Sequence, residues 1–296
     1  MKKLYLLIIF FLLSIVVDFG LAKTNLPINK HSYLMGFENF WKKALETKGE
    51  NRIILLGGSS LSWGVSAQKL TKNVGVLTLN SGIHASVGFM HFIKNIEDSV
   101  DKNMDLIVIS PEYSIIDNDS LFSRTKEFCE IALYVRRSFP LECIGYTIAK
   151  LLGVLSTLDR FSGEYRRDGF NEFGDYIKRT KGKNMVGQMD DDVCDGWTIK
   201  DLESRYVPFM KKLERRGFRL LYVPTFAPAN ACKSPGKVRK FHKILKENFG
   251  VNQKENVQLF FDDKYFYDTS YHLTHDGVNL KTKIFEDHIK TYQSGR

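Results

Sequence analysis

Apolar and polar positions along the chain fall into two alternating kinds of run. Residues 52–56, 74–79, 105–110, 218–223 and 257–261 are short apolar blocks, rich in Ile, Leu and Val. Continuous apolar runs of this length, bounded by turn residues, read as strands buried on both faces. Between them lie stretches with apolar positions at helical spacing: 65–70, 85–100, 201–216, 238–249 and 279 to about 292. Ahead of the first strand, residues 35–45 place Phe37, Phe40, Trp41 and Leu45 on one face, which suits a lead-in helix packed on a sheet. Strands alternating with helices predict βαβ units and a parallel sheet. The expected architecture is α/β, a three-layer α/β/α sandwich with a central, mostly parallel five-stranded sheet.

Residues 117–200 interrupt that rhythm. Residues 121–137 read as a helix, and 143–158 as an apolar core helix whose only internal charge is Lys150. Residues 163–197 are polar and read as a long surface insertion over or beside the site. The organisation expected is a signal peptide or membrane anchor at 1–22, a lead-in segment at 23–50, and one domain over 51–296 with an insertion at about 117–200. The first segment carries Lys2 and Lys3, then an apolar run over 4–17 broken only by Ser14, then Asp18 and the small-residue step Gly20-Leu21-Ala22. That is the pattern of a secretory signal cleaved after Ala22. Extension of the run through Phe19 and Leu21 would make it an uncleaved anchor. Either way the lysines stay on the cytoplasmic side and the body is exported, to a periplasmic or extracytoplasmic location.

Charge narrows the partners. The net charge is +9, from 43 basic and 34 acidic residues. The excess is dispersed, with only short pairs such as Arg136-Arg137, Arg166-Arg167 and Arg215-Arg216. No basic stripe or Arg/aromatic interleaving marks a nucleic-acid binder, so none is expected. An anionic lipid surface or an acidic glycan suits such a chain better. Cys129, Cys143, Cys194 and Cys232 form no CxxC or zinc spacing. Export permits disulfides; pairing and free thiols both stay open. Neither a metal-ligand cluster nor a phosphate loop is visible, so no metal or cofactor is expected.

The stretch Ile53-Ile54-Leu55-Leu56-Gly57-Gly58-Ser59-Ser60-Leu61-Ser62-Trp63-Gly64 ends a strand in a Gly/Ser turn. Ligands of open α/β sheets bind at the carboxyl ends of strands. A serine there needs a base and an orienting acid to act as a nucleophile. Of seven histidines, His31 and His288 lack a partner pattern, His242 lies in a basic helix and reads as solvated, and His84 and His91 belong to the helix after the second strand. His272 and His275 lie in the loop before the last helix, with Asp268 four residues before His272.

Taken together, these blocks resemble the SGNH/GDSL hydrolases. Gly58-Ser59-Ser60-Leu61 with Gly64 is similar to the family's first block, and that resemblance selects Ser60 over Ser59 as nucleophile. Asn80-Ser81-Gly82 resembles the second block, whose glycine N–H serves the oxyanion hole. His272-Leu273-Thr274 with Gly277 resembles the last block and selects His272 over His275. The resemblance implies an SGNH-like, flavodoxin-like fold, with His272 as base, Asp268 orienting it, and the N–H groups of Ser60 and Gly82 as oxyanion donors. Two departures stand out. Ser110-Pro111-Glu112-Tyr113 replaces the third block, so its asparagine donor is missing; Tyr113 can donate in its place, whereas ionised Glu112 cannot. Asp268 lies four residues before the histidine instead of three, which leaves Asp262 and Asp263 as substitutes. These departures and the N-terminal segment are more like the envelope-associated branch that includes the D-alanyl-lipoteichoic acid biosynthesis protein and alginate O-acetylation proteins. The resemblance implies serine-dependent transfer of an acyl group, most simply acetyl, to or from a cell-envelope polysaccharide. It also implies an acylated glycan or other acyl donor, and a membrane acyltransferase, as partners. A non-catalytic glycan-binding or scaffold protein on the same fold is the rival expectation.

Overall fold

Four of the apolar runs pair side by side as parallel strands in the computed structural model, which describes residues 36–82, 96–113, 129, 131, 143, 167–178, 197–251 and 258–295. They are β1 (Arg52–Gly57), β2 (Leu77–Asn80), β3 (Leu106–Ser110) and β4 (Arg219–Tyr222), in the order β2-β1-β3-β4. Ile54 lies opposite Leu79 and Ile107, and Ile107 opposite Leu220. Successive side chains of a strand point to opposite faces, and here both faces are covered. Ile54, Leu56, Ile107, Ile109, Leu220 and Tyr222 enter one core; Ile53, Leu55, Leu106, Val108 and Leu221 enter another.

The first core is closed by α1 (Phe37–Glu46) and by two later helices, α4 (Val207–Arg215) and α5 (Pro235–Phe249). The second is closed by α3 (Ala67–Val74) and α6 (His275–Ser294). Helices on both faces of a parallel sheet make the three-layer α/β/α arrangement that the hydrophobic pattern predicts. The strand count differs. The central sheet has four strands among the described residues, not five. The run expected as a fifth strand is reduced to β6 (Phe260–Phe261), which pairs in parallel with β5 (Ala227–Pro228) in a separate two-stranded piece. The chain leaving β4 passes through Pro224 and reaches Pro228. Proline has no N–H for a ladder, which breaks continuity with the main sheet.

Other departures have local causes. The second strand begins at Leu77 because α3 runs on to Val74, where Gly75 adopts a left-handed φ of 74° and closes the helix. Ala44, not Leu45, completes the buried face of α1; Leu45 is exposed. The helix expected over 201–216 contains a π-turn, Leu202–Tyr206, just before α4. Pro208 is the second residue of α4 and offers no N–H to the preceding turn. Helix α6 starts at His275, four residues earlier than its apolar spacing suggests, because Thr274 caps it through Gly277 N–H at 3.4 Å.

The segment at 167–178 is not a surface insertion. Phe170 and Tyr176 are buried in the first core with Trp197. Phe173 C=O accepts from Asn80 N–H (2.7 Å) and Ser62 C=O from Tyr176 N–H (2.8 Å), which ties the segment to the ends of β2 and the Ser60 turn. At the opposite end of the sheet, Arg52 is fully buried against Asp105, with contacts of 2.9 and 2.6 Å. It also donates to the carbonyls of Ala44 and Ser99. Cys129 and Cys143 form a disulfide, and Cys232 is disulfide-bonded as well. No described helix is long and apolar enough to cross a membrane. The N-terminal 35 residues and most of the helices expected at 85–100, 121–137 and 143–158 lie outside the described residues, as do the divisions drawn at 22 and 117.

Candidate functional site

The glycines at the end of β1 allow an unusually close approach of β3. A Cβ on Gly57 would sit 2.4 Å from Ser110 O, and one on Gly58 would sit 2.5 Å from Glu112 Oε1. Ser59–Ser62 then make a single helical turn, α2. Ser60 is fully buried, and its Oγ makes no hydrogen bond among the described residues. Its peptide is held at both ends. Ser60 N–H donates to Glu112 Oε1 at 2.6 Å, and Lys281 Nζ donates to Ser60 C=O at 2.9 Å. Ser59 Oγ adds a 3.2 Å bond to the same Glu112 oxygen.

The loop before α6 delivers the histidine. Thr269 Oγ1 accepts from the N–H groups of Tyr271 (3.2 Å) and His272 (3.0 Å), which folds the loop back on itself. That turn brings Asp268 Oδ1 to 2.8 Å from His272 Nδ1 despite the four-residue spacing. An aspartate on Nδ1 assigns the proton there and leaves Nε2 as the basic nitrogen. The imidazole lies flat on Trp63, with ring centroids 4.6 Å apart and planes 12° apart. Trp63 also stacks on Tyr176, at 4.0 Å. Leu273 N–H donates to Trp63 C=O at 3.4 Å. Trp63 is three residues past Ser60, so the stack and this bond set the histidine loop beside the serine turn. No hydrogen bond joins Ser60 Oγ to His272.

The expected oxyanion donors are placed nearby but engaged. Gly82 packs on the turn closely enough that a Cβ would lie 2.6 Å from Gly58 O. Its N–H donates to Asn80 Oδ1 at 3.1 Å. Ser60 N–H is taken by Glu112. Tyr113 does not face the turn: its hydroxyl donates to Thr225 C=O at 2.8 Å, and its ring packs on Trp197 and Phe241 in the first core. Neighbouring residues in extended chain point opposite ways, and here it is Glu112 that points at Ser60. Asp262 and Asp263 accept elsewhere, from Lys264 N–H (3.0 Å) and from Asn230 Nδ2 (2.6 Å) respectively. His275 is exposed at the start of α6. His242 is not solvated but half-buried against Tyr222, 3.4 Å from its hydroxyl; burial pulls its pKa down to about 4. His288 is buried, 2.8 Å from Ile284 C=O. His31, His84 and His91 lie outside the described residues.

Burial dominates the electrostatics of the site. It raises the Glu112 carboxyl above its usual range, against the opposing pull of Ser60 N–H, His272, Ser59 and Lys281. It pushes the Lys281 ammonium down to about 7, with Glu112 opposing. Sequence reasoning missed Lys281 and the stacking role of Trp63. A signal for Lys281 was present: it shares the apolar stripe of α6 with Val278, Phe285 and Ile289, at spacings of three and four. A separate cleft of about 290 Å³, lined by Glu214, Phe218, Arg219, Asn248 and Tyr292, opens near the start of β4, at the other end of the strands from Ser60. The site thus gathers an unbonded hydroxyl, an imidazole oriented by a carboxylate, a buried acid and a buried amine at the carboxyl ends of β1 and β3. A hydroxyl beside an oriented imidazole is the equipment of acyl transfer. Comparison of the chain with family models, with curated proteins and with solved structures finds no match.

Proposed function

We propose that this chain moves an acyl group, most simply acetyl, onto or off a cell-envelope polysaccharide through an acyl-enzyme at Ser60, as in the SGNH/GDSL hydrolases it resembles. The observation that carries this reading is the 2.8 Å Asp268–His272 pair, laid on the tryptophan that follows a serine with an unbonded hydroxyl. Ser60 Oγ attacks the acyl carbonyl carbon while His272 Nε2 takes its proton. The carbonyl electron pair moves onto oxygen and returns as the ester bond to the leaving alcohol breaks. That alcohol takes the proton from His272. Water or a glycan hydroxyl then attacks the acyl-serine by the same steps, which restores Ser60. Asp268 keeps the imidazole in the productive tautomer and stabilises its cation. Two disulfide-bonded sites and the N-terminal basic-apolar segment support an exported protein working at an envelope surface.

The test uses the full-length protein with p-nitrophenyl acetate, with and without an envelope polysaccharide as acceptor. A serine-directed fluorophosphonate is run in parallel. Turnover and labelling are expected in the wild type and absent in Ser60→Ala. Acetyl appearing on the polysaccharide assigns transfer; acetate alone assigns hydrolysis. A second reading, a glycan-binding or scaffold protein without catalysis, is favoured by one observation: the Ser60 and Gly82 N–H groups and the Tyr113 hydroxyl are all engaged within the protein. It requires that the wild type show neither labelling nor turnover.

A further inference from the structure

We propose that Glu112 is itself the oxyanion donor of this site, acting as a neutral carboxylic acid through Oε2. The proposal rests on the acyl-enzyme reading of Ser60 and goes beyond it by assigning the charge stabilisation that the engaged main-chain donors leave unfilled.

Three observations converge. First, Glu112 is 1% exposed and reaches the serine peptide directly, with Oε1 2.6 Å from Ser60 N and 3.2 Å from Ser59 Oγ. The absence of a side chain at Gly58 makes room for this carboxyl, whose three terminal atoms lie 2.5–3.1 Å from where a Cβ would stand. Second, both bonds fall on Oε1, and Oε2 makes none among the described residues. In the neutral acid the oxygen that accepts both donors is the carbonyl oxygen, which puts the proton on Oε2 and leaves it uncommitted among the described residues. Third, an ionised Glu112 and an oxyanion would be like charges beside one serine, which is strongly unfavourable in a buried site. The neutral acid turns that repulsion into a hydrogen bond. The charge that develops during attack raises the proton affinity of Glu112 further, in the state that needs the donor.

The charged and titratable groups facing Glu112 are His272, with Asp268 behind it, from the loop before α6, and Lys281 from α6. Burial favours the acid, while the two cations favour the carboxylate. Lys281 is a positioning residue here. It holds Ser60 C=O at 2.9 Å, and below about pH 7, where it is charged, it favours the carboxylate form of Glu112.

The experiment measures kcat/KM for p-nitrophenyl acetate from pH 5 to 10 on the full chain, with folding of each variant checked by circular dichroism. Wild-type activity should fall with rising pH as Glu112 ionises. Glu112→Ala should lower kcat/KM about 10²–10³-fold, the usual cost of one oxyanion donor. Glu112→Gln carries a permanent N–H donor of nearly the same shape. It should recover to within about tenfold of wild type and lose that fall. The rate of Ser60 labelling by the fluorophosphonate should follow the same order. A Glu112→Ala protein as fast as wild type or faster would show that the carboxylate blocks the site. An unchanged fall with rising pH in Glu112→Gln would also overturn the proposal. In both cases an inactive Ser60→Ala leaves the acyl-enzyme reading standing. A Ser60→Ala protein that still turns over, or a wild type that neither turns over nor labels, removes that reading and this proposal with it.

Discussion

A hydroxyl that is buried without a hydrogen bond costs a protein on the order of 1–3 kcal/mol, and Ser60 carries such a group. Alanine in its place removes the unmatched oxygen and leaves the Cβ packing intact. Ser60→Ala should therefore be as stable as wild type or about 1 kcal/mol more stable in urea unfolding, while losing the acyl chemistry proposed for it. A loss of more than about 1 kcal/mol would show that the hydroxyl is bonded in solution. The Asp268–His272 pair makes a different demand. Asp268→Asn keeps the shape but presents a donor to Nδ1, which favours the wrong tautomer. A fall in kcat of about 10⁴-fold is expected, with little change in melting temperature. His242 gives a pH signature distant in role from the site. Its pKa is pulled from 6.5 to about 4 by burial first, then by Lys246 and His288. The unfolded chain takes the proton first as pH drops, so stability present above 6.5 is lost as pH falls towards 4. His242→Phe should lessen that acid sensitivity, read as the unfolding midpoint at pH 7 and pH 5.

At the scale of elements, the site depends on how the 167–178 segment is fastened. The Asp175 carboxylate caps α3 from outside the helix, accepting from Ala67 N–H (2.9 Å) and Gln68 N–H (3.1 Å). It also accepts from Asn80 Nδ2 (3.1 Å), the side chain whose oxygen holds Gly82 N–H. One buried carboxylate thus joins the 167–178 segment, α3 and the end of β2. Asp175→Ala removes several bonds to buried donors at once and should cost about 2–3 kcal/mol. Burial raises this carboxyl above its ordinary range, so the neutral Asp175→Asn should cost clearly less. Beside it, Gly174 has φ 85°, and a Cβ there would lie 2.1 Å from Asn80 O. Gly174→Ala must either strain the backbone or move Asn80, and through it Gly82.

At the scale of the whole molecule, the buried lysine makes stability depend on pH in a direction opposite to the buried acid. Lys281 titrates near 10.5 when unfolded and at about 7 when folded. Between those values the unfolded chain binds the extra proton. Stability therefore rises from pH 7 towards 10.5 and is lost as pH falls through 7, at up to about 1.4 kcal/mol per pH unit. Glu112 is raised above 4.5; its contribution is complete below 4.5 and declines as pH rises through its folded value. Urea unfolding at pH 7, 8 and 9 should show the alkaline rise in wild type and a flatter curve in Lys281→Met. A wild-type curve that is level or falls over this range would mean that Lys281 stays charged in the fold. At the far edge of the sheet, Arg52 joins β1 to Asp105, α1 and Ser99. Arg52→Met strands the Asp105 carboxylate in the core and should cost about 3–5 kcal/mol.

The sequence by itself determined the layers and singled out the serine turn and the histidine loop as candidates. Ile53 to Leu56, Leu106 to Ile109 and Leu220 to Val223 are apolar at every position, and only a sheet covered on both faces buries such runs. The helix boundaries were less legible where one residue outweighs the pattern, as Gly75 and Pro208 do. Tertiary structure decided what the site contains. Whether Glu112 or Tyr113 faces Ser60 depends on the direction of the chain leaving β3. Asp268 reaches His272 because Thr269 closes the loop. Lys281 enters the site because α6 lies across the turn at the end of β1. These are relations between residues 50 to 220 positions apart, or within a loop without periodicity. Hydrophobic spacing reports which side of an element is buried, and says nothing of which polar groups meet once the elements pack.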